Sequence, residues 1–143
     1  MGDAMKILML EWDSFAQEYI RQEFVNFGCF IDVYQWPYPA ENMRENVELC
    51  DTLKNKIDRN KYDFVFSLNF FPVAAKACYE CGVRYVSWVY DTPYLLLYSK
   101  HIKYDTNIVL LFDKSLYIEF QKQQLNHVFY LPMAAPVDLY DEI

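Results

Sequence analysis

Acidic and aromatic side chains occur together in two short segments, each of which follows an apolar run. Glu11-Trp12-Asp13 follows the run 6–10, and Tyr90-Asp91-Thr92 follows the run 84–89. A carboxylate can take the proton of a hydroxyl as a general base, and an aromatic ring offers a flat apolar face with a polar edge on which a sugar can lie. Asp91 is therefore our first candidate for a catalytic base, and Asp13 is the second.

Polar and aromatic residues also follow two further apolar runs: Asn69 and Phe70 come after 62–68, and Lys114 comes after 107–112. If these runs are parallel strands of one sheet, the residues after them gather at the same edge, where such sheets bind ligands. Any of the rings could equally cap the core, and either aspartate could cap a helix. The candidate substrate-binding residues are Glu11, Trp12, Asn69, Phe70, Tyr90, Thr92 and Lys114.

The four cysteines include one C-x-x-C motif, formed by Cys78 and Cys81. A zinc site would need a second such pair or two histidines at ligand spacing, and the two histidines of this chain are isolated. A thioredoxin-type motif opens a helix, whereas this pair closes one just before Gly82. We interpret the cysteines as free thiols of a reducing compartment, and we expect neither a metal site nor a cofactor.

Glycine is scarce, with three residues in the chain and none in the segment 11–16 that directly follows the first apolar run. A dinucleotide site needs a G-x-G-x-x-G loop at that position, and a P-loop is also rich in glycine. The sequence therefore argues against both kinds of nucleotide site. A receiver-like regulatory domain is only a minor alternative. Such a domain needs a phosphate-accepting carboxylate after its third strand, and this chain has Asn69 at that position.

The hydrophobic pattern alternates between short apolar runs and stretches with helical spacing. This alternation predicts βαβ units in a three-layer, Rossmann-like, doubly wound α/β sheet of about six parallel strands. We expect the strand order 3-2-1-4-5-6, with a five-stranded flavodoxin-like sheet as the main alternative. Segment 94–98 fits either a helical turn or a loop. The predicted strands are 6–10, 30–34, 62–68, 84–89, 107–112 and 127–131, and the predicted helices are 14–27, 41–60, 72–81 and a helix that follows 113–115 and ends at 124.

The overall composition is that of one soluble globular domain, with 143 residues, 54% of them hydrophobic, and a net charge of −7. The chain has no apolar stretch long enough for a membrane span. Its scattered lysines and arginines argue against a nucleic-acid partner. We find no signal-peptide pattern and expect a cytoplasmic location. Residues 1–4 are interpreted as a leader or cloning remnant, and 5–143 as a single domain.

Four segments carry a resemblance to a known family: 5–9, 85–93, 111–114 and 127–135. The sharpest is 88–93, Trp-Val-Tyr-Asp-Thr-Pro. Taken in this order, they resemble the N-terminal domain of CgeB-like (spore maturation protein-type) bacterial glycosyltransferases, a module classed as a domain of unknown function. The resemblance covers nearly the whole chain.

The resemblance implies a GT-B glycosyltransferase, in which a Rossmann-like N-terminal domain faces the sugar acceptor and a second domain holds the nucleotide-sugar donor. This chain stops eight residues after Ala135, so we expect the acceptor-side domain without its donor-binding C-terminal domain, inactive alone. No metal is implied. The alternative is a non-catalytic module that binds a protein or a glycan.

Overall fold

Six strands alternate with four α-helices in the computed structural model, which describes residues 4–12, 16–38, 44–90 and 94–132. A 3₁₀ helix, Leu95–Leu97, lies in the segment 94–98 that the hydrophobic pattern left open, and a second one, Lys100–Lys103, follows it. The strands are β1 (Lys6–Glu11), β2 (Phe30–Gln35), β3 (Phe64–Leu68), β4 (Arg84–Val89), β5 (Asn107–Leu111) and β6 (Val128–Tyr130). The helices are α1 (Gln17–Asn26), α2 (Val47–Asn60), α3 (Pro72–Cys81) and α4 (Lys114–Gln121).

The strands form one all-parallel sheet, which confirms the predicted Rossmann-like α/β class. Their order is 2-1-3-4-5-6, and this corrects the predicted order 3-2-1-4-5-6. β3 pairs directly with β1, Ile7 opposite Phe64, so β2 lies at the edge of the sheet. The first five strands thus follow the flavodoxin-like order, and β6 extends it by one strand.

The physical reason for this order lies in the composition of β2 and β3. β3 is almost wholly apolar and buried on both of its faces, as a central strand of a parallel sheet must be. β2 carries Asp32 and Gln35, and every one of its residues is at least partly accessible. An accessible strand with polar side chains is better suited to an edge than to the centre.

The two faces of the sheet are covered unequally. α2, α3, the second 3₁₀ helix and α4 lie on one face, and α1 lies on the other. On the α1 side the ring of Phe24 contacts those of Phe64 and Phe66, with centroids 6.0 and 5.4 Å apart. On the opposite face α3 buries six of its ten residues. The main core therefore lies between the sheet and the layer that contains α2, α3 and α4.

Helix boundaries follow local sequence signals where those signals are strong. α3 and β4 begin and end where the pattern predicts, because Pro72 opens the helix and Gly82, with φ of 70°, closes it. The apolar residues with helical spacing in 14–27 do not all face the core, because Tyr19 is 47% exposed and Phe27, which follows the helix, is 82% exposed. Only Ile20 and Phe24 pack against the core.

Candidate functional site

The strand order reverses between β1 and β3, and ligands of open α/β sheets bind at such a point, beyond the carboxyl ends of the strands. The predicted order would have placed this point between the first and fourth strands. In the observed sheet the residues after β1 and β3 flank it, and those after β4 lie one strand further along. We call this region the crevice and define it by Trp12, Asn69 and Tyr90.

Trp12 forms the aromatic floor of the crevice. Its indole Nε1 donates a hydrogen bond to the Leu68 carbonyl over 2.8 Å, and its backbone amide donates to Gln17 Oε1 over 3.1 Å. The Tyr90 ring lies nearly parallel to the indole, with centroids 6.3 Å apart and an angle of 6° between the planes. The Tyr38 ring meets the indole edge-on at 4.9 Å. Two hydrogen bonds and two ring contacts therefore fix the orientation of the indole.

Asn69 ties the ends of two neighbouring strands together. Its backbone has a φ of 67°, in the left-handed region that asparagine tolerates better than most residues. The Asn69 amide donates to the Trp88 carbonyl over 2.7 Å, and its side-chain Oδ1 accepts from the Tyr90 amide over 3.2 Å. The residue is fully buried. Its observed role is to hold Tyr90, and through it the ring that stacks on Trp12.

A chain of buried hydrogen bonds supports the turn that follows β3. The Phe71 amide donates to the Tyr85 hydroxyl over 3.2 Å, the Tyr85 and Ser67 hydroxyls lie 2.6 Å apart, and Ser67 Oγ donates to the Asn69 carbonyl over 2.7 Å. Burial raises the pKa of Tyr85, so its hydroxyl stays protonated and can donate to Ser67. This chain was not anticipated from the sequence. A tyrosine and a serine within apolar strands are the available signal, because buried hydroxyls need partners.

Glu11 is engaged inside the fold. Because side chains alternate along β1, Glu11 points to the face of the sheet that α1 covers, where its Oε2 lies 2.7 Å from Arg21 Nε. The Glu11 side chain is 7% exposed. The ion pair joins the end of β1 to α1, and Arg21 is a partner that the sequence analysis missed. A substrate contact by Glu11 stays a prediction, and it would have to compete with Arg21.

Phe70 and Lys114 lie apart from the floor of the crevice. Phe70 is fully buried and its ring packs near that of Tyr85, with centroids 5.9 Å apart. Its carbonyl accepts a hydrogen bond from the Tyr94 hydroxyl over 2.7 Å. Lys114 is exposed at the first position of α4, two strands away from β3. Asp113 caps that helix through the amides of Ser115 and Leu116.

Asp13, Asp91 and Thr92 lie outside the described residues, so their roles stay predictions. Asp13 directly follows Trp12, and Asp91 directly follows Tyr90. The two residues that precede the candidate bases are thus in ring contact. The sequence predicted only that the residues after these apolar runs gather at one edge of the sheet, and the contact between the two rings is an observation of the structure.

The four cysteines are free thiols. Burial raises the pKa of Cys78 well above its usual range, and it raises the pKa of Cys81 to about 11. Redox-active thiols need the opposite shift, because the thiolate is the reactive form. The raised pKa values of both thiols therefore argue against a catalytic dithiol at the C-x-x-C pair on α3. Within the ranges that the structure describes, no three His, Cys, Asp or Glu side chains could hold a metal ion.

Comparisons with known proteins give no further constraint on the site. The chain matches no protein-family model, and a search of curated proteins finds no match either. Across the described part of the chain, every helix is too short or too polar to pass through a lipid bilayer. The assignment of function therefore depends on the crevice itself.

Proposed function

We propose that this domain binds a sugar acceptor in the crevice, as the acceptor-side domain of a GT-B-type glycosyltransferase. The observation that carries the proposal is the parallel pair of Trp12 and Tyr90 at the point where the strand order reverses. The resemblance of segment 88–93 to CgeB-like enzymes, which includes Tyr90, gives the second line of support.

The fixed rings suit carbohydrate because a pyranose has flat patches of C–H bonds bordered by hydroxyls. Tyr38 and Tyr90 are half-buried, so part of each residue is accessible beside Trp12. Since the contacts of Trp12 are made within the fold, the floor is ready before the ligand arrives, which reduces the entropic cost of binding.

The chemistry proposed for the complete enzyme is an inverting transfer. Asp91, or alternatively Asp13, takes the proton of the acceptor hydroxyl as the oxygen attacks the anomeric carbon of the donor sugar. The bond from that carbon to the nucleoside diphosphate breaks, and the diphosphate leaves with the electron pair. The donor would be held by a second, C-terminal domain. In this proposal the present chain contributes the acceptor site and the base.

Saturation-transfer NMR with a panel of mono- and oligosaccharides tests the acceptor site. For any sugar that binds, we expect Tyr90→Ala to weaken the affinity about three- to tenfold. This is the usual contribution of one aromatic contact to binding. Tyr90→Phe keeps the ring and should bind more tightly than Tyr90→Ala. Tyr19→Ala, which removes an exposed ring on α1, is the matched control and should bind like the unmodified protein.

The proposal fails if no sugar binds, or if Tyr90→Ala and Tyr19→Ala bind equally well while both remain folded. The catalytic part is tested separately, by the Asp91→Asn substitution in a full-length enzyme with its donor domain. Turnover that is unchanged by that substitution would remove Asp91 from the mechanism. The two experiments thus separate sugar binding from proton transfer.

A second candidate function is a non-catalytic module that binds an amphipathic helix of a partner protein. It is favoured by the sheet face on the α1 side, where Val86, Trp88, Ile108 and Leu110 are only half-buried. Phe129, next to Leu110 in the register, is 47% exposed. Helices normally cover such faces of parallel sheets. This candidate places the binding surface beside β4, β5 and β6 rather than in the crevice.

A further inference from the structure

β2 forms one border of the sheet, and the backbone groups on its outer side are open to a partner. At the start of its pairing with β1, the Phe30 amide donates to the Met5 carbonyl over 2.8 Å. Since the backbone groups of successive residues in a parallel strand point to opposite sides, the N–H and C=O groups of Ile31, Val33 and Gln35 point away from β1. Among the described residues, no strand pairs with β2 on this outer side.

β2 lacks the features that usually protect an edge strand from pairing with another chain. Such strands are short or carry lysine or proline, whereas β2 has six residues with neither lysine nor proline among them. Its one charged side chain, Asp32, accepts a hydrogen bond from the Tyr62 hydroxyl over 2.6 Å. Phe30 is 68% exposed and Val33 is 39% exposed. The edge therefore combines open backbone groups with exposed apolar side chains.

The face of α2 that borders β2 has opposite charges at its two ends. Lys56 and Arg59 line a groove together with Tyr34 of β2, so this face looks toward the open edge. Glu48 lies on the same face about three turns earlier, because helical positions 48, 52, 55 and 59 are three or four residues apart. Within the part of the chain that the structure describes, none of these three charged groups forms an ion pair.

The middle of this charged face is level with the middle of β2. Lys6, which lies opposite Phe30 in the register, donates from Nζ to the Asn60 carbonyl over 3.1 Å. The end of α2 is therefore level with the start of β2, and the two elements run in opposite directions. With rises of about 1.5 Å per helical residue and about 3.3 Å per strand residue, residue 53 is level with Val33. The negative and positive ends of the face lie at about equal distances on either side of this level.

We propose that two copies of this chain pair through β2, in antiparallel orientation about a two-fold axis at Val33, to form one continuous sheet of twelve strands. In this register Ile31 of each copy exchanges hydrogen bonds with Gln35 of the other, and Val33 pairs with its own equivalent. The same axis brings Glu48 of each copy toward Arg59 of the second copy. A strand of another protein would satisfy the backbone groups equally well, but the charges of α2 complement those of a second copy. The inference does not depend on the proposed sugar site.

The first test combines sedimentation velocity over a concentration series with hydrogen exchange of single amides by NMR. We expect a reversible monomer–dimer equilibrium. As the dimer forms, the amides of Ile31, Val33 and Gln35 should exchange at least about tenfold more slowly, because they gain hydrogen bonds. The amides of Asp32 and Tyr34 already bond to β1 and should change little. This alternation along β2 is a signature of strand pairing.

The second test places a charge on the two-fold axis. Val33→Lys brings two like charges directly opposite each other and should weaken dimerisation about tenfold or more. Tyr130→Lys is the matched control, because Tyr130 is similarly exposed, at 42%, on the other edge strand, β6. The control variant should dimerise like the unmodified chain.

An exchange of charges on α2 tests the two-fold arrangement itself. Glu48→Lys should weaken dimerisation, because it brings a cation toward Arg59 of the second copy. Glu48→Lys combined with Arg59→Glu restores opposite charges across the axis and should recover the affinity. Both positions are exposed on α2, so these variants also serve as the test if Val33→Lys does not fold.

A chain that stays monomeric at every concentration would overturn the proposal. A dimer in which the amides of Ile31, Val33 and Gln35 remain unprotected would also overturn it, as would equal weakening by Tyr130→Lys and Val33→Lys. If the combined charge exchange dimerises no more tightly than Glu48→Lys alone, the two-fold arrangement is wrong.

Discussion

Asn69 shows at the residue scale how one side chain sets the geometry of the crevice. Its left-handed backbone turns the chain out of β3, and its side-chain oxygen holds the Tyr90 amide. The position of Tyr90 and the turn that follows β3 therefore both depend on this one residue. A change at Asn69 should affect both stability and the orientation of Tyr90.

We expect Asn69→Ala to lower the free energy of unfolding by about 2–4 kcal/mol. Loss of Oδ1 leaves the Tyr90 amide without its acceptor, at about 1–3 kcal/mol, and alanine in the left-handed region adds about 1 kcal/mol. Asn69→Gly loses the same side chain but adopts the left-handed conformation without a steric cost, so it should be the milder change. Urea unfolding measures both. Equal stability of the two variants would show that the backbone conformation carries no cost.

Cys81 gives a prediction about pH at the same scale. Because burial raises its pKa to about 11, about one thiol in a thousand is ionised at pH 8. Alkylation of Cys81 by iodoacetamide should be slow at pH 8 and should accelerate about tenfold per pH unit up to pH 10. Mass spectrometry of the modified peptide measures the rate, with a free cysteine peptide as control. A rate that matches the peptide at pH 8 would refute the raised pKa.

The positions of residues after the apolar runs predicted part of the geometry at the sheet edge. Trp12 and Tyr90 were predicted to lie at that edge, and their rings are in contact; their role in substrate binding stays a prediction. Glu11 had the same signal, but it pairs with Arg21, because its position on the pleat of β1 turns it toward α1. The sequence does not show which face of a strand a helix will cover, so this difference could not be predicted.

At the element scale, the two helices that flank the main sheet strands differ sharply in burial. α3 buries six residues, from Pro72 to Cys78, whereas α1 has no buried residue. Since the stability of a helix in a protein comes mainly from packing of its apolar face, α1 should be the weaker element. Its contacts to the sheet are concentrated in Phe24 and in the Arg21–Glu11 ion pair.

We therefore expect the amides of α1 to exchange with solvent deuterium at least about a hundredfold faster than those of α3 in the native protein. Local opening of α1 exposes little apolar surface, whereas opening of α3 disrupts the core. Hydrogen-exchange mass spectrometry with peptides from each helix measures the difference. Equal protection of the two helices would show that they unfold as one unit.

The elements were more predictable than their arrangement. Proline and glycine mark both ends of α3, and a local pattern is enough to detect them. The order of the strands depends on long-range pairing, and the continuous apolar run of β1 fits a centre position in either order. The polar residues Asp32 and Gln35 of β2 were the available signal for an edge strand.

At the scale of the whole molecule, the domain carries two candidate binding surfaces besides the outer edge of β2: the crevice and a half-exposed apolar strip formed by Val86, Trp88, Ile108, Leu110 and Phe129. The crevice lies beyond the carboxyl ends of β1 and β3, whereas the strip lies beside β4, β5 and β6 on the α1 side. They occupy different parts of one sheet, so separate substitutions can test each. Two of the three tryptophans are natural reporters for these surfaces.

Trp12 and Trp88 report on the two competing binding surfaces. The Trp12 indole N–H is bonded to the Leu68 carbonyl beneath the crevice. The Trp88 indole lies on the strip and donates to the Leu131 carbonyl over 3.0 Å. A ligand in the crevice should shift the first signal, and a partner on the strip should shift the second.

The most direct test of the proposed function is thus a ¹H–¹⁵N spectrum of the indole N–H groups, recorded while a sugar that binds is added. We predict a saturable shift of the Trp12 signal, with the Trp88 signal unchanged. Tyr90→Ala should reduce the affinity obtained from that shift, whereas Tyr19→Ala should not. A saturable shift of Trp88 alone, with Trp12 unaffected, would contradict the assignment of the crevice as the acceptor site.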